Sequence, residues 1–342
     1  MDIYGMGIES SCDETGVAIL KNGKEIITNP LFSQIEAHRL YGGVVPEHAS
    51  RMHLEKMPAM LKKAMGDFQT AAPGEKISYV AVTTRPGLVG SLLMGYNAAL
   101  AMSHILDIPV IPIHHLEAHF YAAGIQSTMP EYPFLGLLLS GGNSSLYLVQ
   151  GPGEIELTGD TFDDAAGEAL DKAASLLGLP YPGGPSVEIK ARDYRNAVVN
   201  PDGAKNPFPR ILKSQPSDEF NFSFSGLKTS LLYLKRKNPD LATEEAAYYY
   251  QERIIEIIIR NLRNAVLHYG IKRVVAAGGV TANTFLREAL EKLAAEIHAQ
   301  ITVPPVSLCT DNGAMVAALG WHYYRMGNWS DIKKVSSAKE FI

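Results

Sequence analysis

Ile8-Glu9-Ser10-Ser11-Cys12-Asp13-Glu14-Thr15-Gly16-Val17-Ala18-Ile19 reads as an apolar strand, a short polar turn and a second strand. Leu137-Leu138-Leu139-Ser140-Gly141-Gly142-Asn143-Ser144-Ser145-Leu146-Tyr147-Leu148 repeats that plan further along the chain. A duplicated strand-turn-strand predicts two similar lobes. Elsewhere, short apolar runs ending in Gly or Ser turns alternate with longer stretches of helical periodicity, the pattern of an α/β protein. The two polar turns would expose backbone N–H groups and small hydroxyls, the chemistry that holds a phosphate, although either alone is as readily an ordinary hairpin.

Length and composition agree with two lobes. A chain of 342 residues is about twice a common domain length and can bury roughly three quarters of its unfolded surface. Apolar residues make up 46% and charged residues 20%, with 30 Gly and 20 Pro dispersed without a period, which excludes disordered and collagen-like classes. The net charge of −5 provides no global basic field, so an RNA partner must meet a local patch. Lys228, Lys235, Arg236 and Lys237 form one such stretch, equally readable as a solvated helix face. Two cysteines, Cys12 and Cys309, cannot build a disulfide framework, and no leader signature precedes the first strand, so a cytoplasmic location is expected. The apolar stretch 80–102 is broken by Arg85, Pro86 and glycines, and no membrane span is expected from it.

Three further segments carry chemistry. Arg273-Val274-Val275-Ala276-Ala277 reads as a strand, Gly278-Gly279-Val280 as a tight turn, and Asn283 stands before a helix over 284–294. Such a turn lets backbone approach a nucleotide, and Asn283 can reach a sugar or base edge or simply cap the helix. His115 and His119 stand four apart, so a helix there puts both imidazoles on one face, at metal-ligand spacing. Asp311, in a turn after the strand-like run 305–309, is the candidate third ligand, and His114 either competes for the metal or lies outside the face of the pair. Glu117 is misplaced for the zincin His-Glu-x-x-His pattern, which disfavours protease chemistry. Asp163 and Asp164 are expected to cap a helix with apolar positions Ala166, Ala169, Leu170, Ala173, Leu176 and Leu177, and Asp171 on it could bind hydroxyls beside the turn Pro182-Gly183-Gly184-Pro185. The apolar stripe of 254–267 reads as core.

Taken in order, Gly7-Ile8-Glu9-Ser10-Ser11-Cys12-Asp13-Glu14-Thr15, the His115/His119 pair, Ser140-Gly141-Gly142, Phe162-Asp163-Asp164-Ala165-Ala166-Gly167-Glu168-Ala169-Leu170-Asp171-Lys172, Phe222-Ser223-Phe224-Ser225-Gly226-Leu227-Lys228-Thr229, Gly278-Gly279-Val280-Thr281-Ala282-Asn283 and Cys309-Thr310-Asp311-Asn312 resemble the bacterial tRNA N6-adenosine threonylcarbamoyltransferases, the TsaD family. The resemblance spans about 4–324, with Asn143 where the family usually has His and Arg85 where it commonly has Gly. It implies two duplicated actin-like ATPase (ASKHA) lobes, 1–132 and 133–330, with an interlobe cleft and a tail at 331–342. It implies transfer of a threonylcarbamoyl group from threonylcarbamoyl-adenylate to N6 of the adenosine beside the anticodon (position 37), in tRNAs reading A-starting codons, with release of AMP. His115, His119 and Asp311 would hold one metal ion per subunit, iron or alternatively zinc. Leu138, Leu139, Ser140, Gly141, Gly142, Asp171, Gly184 and Asn283 would contact the adenylate, or ATP/ADP, while Asp13 and Glu14 are candidates for proton removal by position alone. The implied partners are tRNA, a metal-free paralogue (TsaB type) that would meet the N-terminal helices, and a small P-loop ATPase (TsaE type). The alternative is a small-molecule kinase of the same fold, which has no use for a His/His/Asp set.

Overall fold

The computed structural model describes residues 2–198, 206–209 and 220–327. The chain divides into two compact units, one formed by Met1–Pro130 together with residues from Pro304 onward, the other by Glu131–Val303.

In the first unit the sequence repeat begins with β1 (Tyr4–Glu9) and β2 (Glu14–Lys21), antiparallel neighbours with Ile8 opposite Val17. β3 (Glu25–Thr28) and β4 (Leu31–Ser33) add to β2. After α1 (Ile35–Arg39) and α2 (Pro46–Ala71), β5 (Ile77–Arg85) lies parallel to β1; α3 (Val89–Leu106) then leads to β6 (Val110–His114), parallel to β5. The order is β3-β2-β1-β5-β6. One face of β1 and β2 sends Met6, Ile8, Val17 and Ile19 into a core with Met57 and Phe68 of α2. α3 is long and apolar enough to cross a membrane by length and composition, and it packs on β5 and α2. It leaves Val89, Leu93, Leu100 and Ile105 exposed.

The opposite face of β1 is made by glycine. A Cβ at Gly7 would stand 2.2 Å from the Gly313 carbonyl and 2.4 Å from the Ala317 nitrogen, so only glycine admits the last described helix against the strand. Tyr79 of β5 anchors the same helix by donating to the Ala317 carbonyl at 2.8 Å and stacking on Tyr324.

The second unit repeats the plan. β7 (Phe134–Leu139), β8 (Ser144–Gly151) and β9 (Glu154–Gly159) form an antiparallel meander. β10 (Arg273–Ala277) pairs parallel to β7 and β11 (Gln300–Thr302) parallel to β10, giving β11-β10-β7-β8-β9. This is the first sheet's order element for element, as the duplicated sequence predicts. The helices are α5 (Ala166–Leu177), α6 (Gly183–Ala197), α7 (Ser225–Lys237), α8 (Thr243–Tyr269) and α9 (Thr284–Ile297); α8 packs on β7 and α9 on β11, while α5, α6 and α7 pack on one another and on α8. The α8 stripe is core as expected: Ile254, Ile258, Leu262 and Val266 are buried, while Leu267 turns outward.

Three expectations change. The chain after 303 does not belong with the second lobe, because α10 (Gly313–Met326) buries Ala314, Met315, Val316, Ala317 and Leu319 and contacts β1, β2 and β5. The run 305–309 is no strand: Pro304 and Pro305 each lack an N–H donor, and a 3₁₀ turn at Val306–Leu308 follows. Asp163 does not cap α5, where the Ala166 N–H donates instead to the Ser144 hydroxyl oxygen at 2.8 Å. It caps α7 across the fold, accepting from Phe224 N and Ser223 Oγ at 2.8 and 2.6 Å and from Ser225 N and Oγ. The expected tail at 331–342 lies outside the described residues.

Candidate metal centre and glycine turns

β6 ends at His114 and the chain turns directly into α4 (His115–Tyr121), so the pair spaced by four lies on one face of a short helix. The rings stand 4.8 Å apart at 79°. Asp311 arrives from the turn before α10, which contacts α4. That turn is braced by Asn312, fully buried, whose Oδ1 accepts from Met315 N at 3.0 Å while its Nδ2 donates to the Thr310 carbonyl at 2.7 Å. Asp311 Oδ1 sits 3.2 Å from His119 Nε2 and 3.5 Å from His115 Nε2. Ligands about 2.05 Å from a tetrahedral ion lie about 3.3 Å from one another, so these separations suit a shared cation. All three donor atoms fall within 4.8 Å of one another.

His119 supplies the test of fit. Its ring is buried, yet neither nitrogen has a hydrogen-bond partner, for Nε2 approaches Asp311 without hydrogen-bond alignment. An orphaned buried imidazole is costly, and a cation held by its lone pair removes that cost. The electrostatics point the same way. Burial opposes the charged form of His115, but the carboxylates of Asp311 and Glu9 outweigh it and hold the ring at about 9. Burial also opposes ionisation of Asp311, yet His115 and His119 hold it at about 2. The site is built to concentrate positive charge between a carboxylate and two imidazoles. His114 stands apart: burial, Arg85 and His115 push it down to about 4, leaving it neutral.

Glu9, at the end of β1, is fully buried behind His115, and burial of its carboxylate is outweighed by the His115 charge and hydrogen bonds that keep it ionised. Glu14 opens β2 and accepts from Ser33 Oγ at 3.3 Å; burial, then the charges of Asp311 and Asp13, raise its carboxyl well above the ordinary range. Asp13 precedes it, with its carbonyl accepting from Gln34 N at 3.0 Å. Burial and Asp13 push the Cys12 thiol far up, so it is no thiolate nucleophile.

The glycine-turn residues gather at the carboxyl ends of β7 and β10. Leu138 and Leu139 are buried strand residues, Ser140 N donates to the Asn143 carbonyl at 2.8 Å, and Gly141 and Gly142 are exposed with open space beside them. Gly278, at φ 93°, passes so close to β7 that a Cβ would lie 2.4 Å from the Leu139 carbonyl. Gly167 N donates to the Ser140 carbonyl at 3.2 Å, which ties the start of α5 to the same turn. Asp171 accepts from Gly183 N at 2.6 Å, and with Gly184 N it caps α6; burial nevertheless raises its carboxyl. Beside Gly184 only a Leu170 methyl lies within reach, at 3.9 Å. Asn283 is the N-cap of α9, accepting from Leu286 N at 3.0 Å, and its Nδ2 donates to Gln251 at 2.7 Å. Both polar candidates thus also hold helix ends, an alternative legible in the sequence position of Asn283 but not in that of Asp171, which reads otherwise as a solvated helix carboxylate. On α7, Lys228, Arg236 and Lys237 are exposed, whereas Lys235 donates to the Leu176 carbonyl at 2.9 Å and so closes the end of α5.

Two sheets of one strand order, the first bearing a His/His/Asp set and the second glycine turns at its strand ends, define an actin-like ATPase-type fold carrying a candidate metal site. Solved structures agree on the fold: full-length HypF in its phosphate- and nucleotide-bound form aligns with a TM-score of 0.64 at 12% identity, covering 96% of this chain and 56% of that one. Component A of the (R)-2-hydroxyglutaryl-CoA dehydratase of Acidaminococcus fermentans aligns with a TM-score of 0.51 at 18% identity over 95% of this chain and 99% of that one. The chain belongs to the tRNA N6-adenosine threonylcarbamoyltransferase family, whose sequence model matches residues 25–318, and it is a transferase of tRNA. The tRNA N6-adenosine threonylcarbamoyltransferase of Leptospira interrogans serovar copenhageni is 44% identical over 332 residues, covering 96% of both chains. That of Bacillus subtilis strain 168 is 42% identical, covering 95% of this chain and 92% of its own.

Proposed function

We propose that the chain transfers threonylcarbamoyl from threonylcarbamoyl-adenylate to N6 of adenosine 37, beside the anticodon, in tRNAs that read A-starting codons, and releases AMP. The observation that carries this reading, over a kinase of the same fold, is the convergence of His115, His119 and Asp311 around an orphaned imidazole. Phosphoryl transfer from a nucleotide has no need of such a set. When bound, an iron ion, or alternatively zinc, would supply Lewis-acid polarisation of the acyl carbonyl. Two imidazoles and one carboxylate would hold it and leave positions open for substrate oxygens.

This chain's own residues divide the remaining work. Gly141 and Gly142, exposed and with open space where a side chain would stand, would offer backbone N–H groups to the adenylate phosphate as negative charge passes to AMP. Leu138, Leu139, Ser140, Asp171, Gly184 and Asn283 would seat the nucleoside. Asp13 and Glu14 share the first unit with the metal set, and Glu14 feels the Asp311 charge, which supports a role near the attacking amine. Burial and the neighbouring carboxylates favour the thiol form of Cys12, which supports direct transfer without a thioester. The exposed apolar residues Val89, Leu93, Leu100 and Ile105 on α3 support docking of a metal-free paralogue there, with a small P-loop ATPase completing the set. A cytoplasmic location follows from the tRNA substrate.

The test combines the protein, threonylcarbamoyl-adenylate, unmodified tRNA and the two partner proteins, followed by nucleoside mass spectrometry. Threonylcarbamoyladenosine and AMP are expected in equal amounts, and His119→Ala is expected to lose more than about a hundredfold in rate. No modified adenosine, with partners active on a homologous enzyme, overturns the proposal; ATP-dependent phosphorylation of a small molecule establishes the kinase instead.

A further inference from the structure

Three parallel neighbours, β1, β5 and β6, bring Glu9, Thr83 and the start of α4 to one edge of the first sheet. Glu9 is wholly inaccessible, and every group around its carboxylate is a donor. Oε1 accepts from Ser11 N at 2.6 Å; Oε2 accepts from Thr83 Oγ1 at 2.5 Å and faces His115 Nδ1 at 3.2 Å. Ser11 Oγ also lies 3.2 Å from that nitrogen. Burying a carboxylate costs several kcal/mol unless its lone pairs are all engaged, so its presence at the end of an otherwise apolar strand demands a reason.

We propose that Glu9 is a positioning residue for the metal site: it accepts the Nδ1 proton of His115 as a hydrogen bond and thereby reserves Nε2 for the ion that His115 would share with Asp311. This rests on the His115/His119/Asp311 reading above. A neutral amide cannot do the same. With its oxygen on Ser11 N, a glutamine turns its NH2 toward Nδ1, which must then be the acceptor; the proton moves to Nε2, the atom that has to bind the ion. Carboxylate partners behind metal-bound imidazoles fix the ring, raise its basicity and add compensating charge. Glu9 supplies all three, because its own oxygens are fixed by Ser11 and Thr83 rather than by solvent.

The test uses the full chain, stripped of metal, as wild type, Glu9→Gln, Thr83→Val and His119→Ala, each titrated with Zn2+ against a chromophoric chelator. Histidine tautomers are read by 15N-edited NMR. With Zn2+ bound, wild type is expected to show the His115 proton on Nδ1 and none on Nε2, and His119→Ala to identify the titrated site by losing affinity. Glu9→Gln is expected to bind Zn2+ about 10- to 100-fold more weakly, with its His115 proton on Nε2, and Thr83→Val to lose several-fold. A folded Glu9→Gln within about threefold of wild type, or a wild-type His115 unprotonated at Nδ1, overturns the inference while leaving the metal site intact. Should Glu9→Gln not fold, Thr83→Val with unchanged affinity overturns it equally. Wild type that takes no Zn2+ defeats the metal reading itself, and the inference falls with it.

Discussion

At the scale of single residues, the acids of this chain act through what surrounds them rather than through their place in a motif. Asp163 sits in a run of family-like residues, yet its carboxylate holds the start of α7 through two backbone N–H groups and two serine hydroxyls. Partial burial works against its charge, but those donors outweigh it and lower its pKa below 3.8. Because the folded value is depressed, the stabilisation is complete above the unfolded value and is lost as pH falls through the folded one. Asp163→Ala is therefore expected to lower stability by about 1 kcal/mol at neutral pH, with the difference from wild type closing as pH falls below the ordinary carboxylate range in urea melts. A difference that persists undiminished at low pH would mean that packing, not charge, joins the two segments. The His pair was legible from residue type and a spacing of four; Glu9 and Thr83 behind it were not, because hydrogen-bond partners 74 or 106 positions away leave no local pattern.

At the scale of elements, periodicity reported burial faithfully. The α8 stripe separates a fully buried Ile258 from Leu267, which is 68% exposed despite its apolar side chain. Ile258→Ala is expected to cost about 3 kcal/mol and Leu267→Ala less than about 0.5 kcal/mol in chemical denaturation. Equal costs would show that the helix is rotated from this register. Asn283 reads as suited to a ligand or to a helix end and does hold one, whereas Asp171, which reads as a hydroxyl ligand or a solvated helix carboxylate, holds a helix end that its position did not suggest. Periodicity failed at 305–309, where apolar residues suggested a strand but consecutive prolines removed the donors a ladder needs.

At the scale of the whole molecule, the decisive contact is that of α10 with the first sheet. Gly7 and Gly313 allow backbone to lie against backbone, and Tyr79 bonds the helix to β5. A chain ending at residue 303 would expose the glycine face of β1 and the buried residues of β2 to water. Such a truncation is expected to lose the cooperative unfolding of the first unit and its dispersed amide signals, leaving those of the second. Retention of both would show that residues 1–130 fold without the helix. The helix also carries the turn that holds Asp311, so the same truncation removes the third ligand.

The amino-acid sequence by itself determined the duplicated strand-turn-strand plan, the α/β class and the His pair on one helical face. These depend on local spacing, which residue order displays directly. Tertiary structure alone decided that the helix after residue 312 completes the first unit, that Asp163 serves α7, and that Glu9 stands behind His115. Each depends on which distant surface an element meets, and hydrophobic period records that a face is buried without recording what buries it.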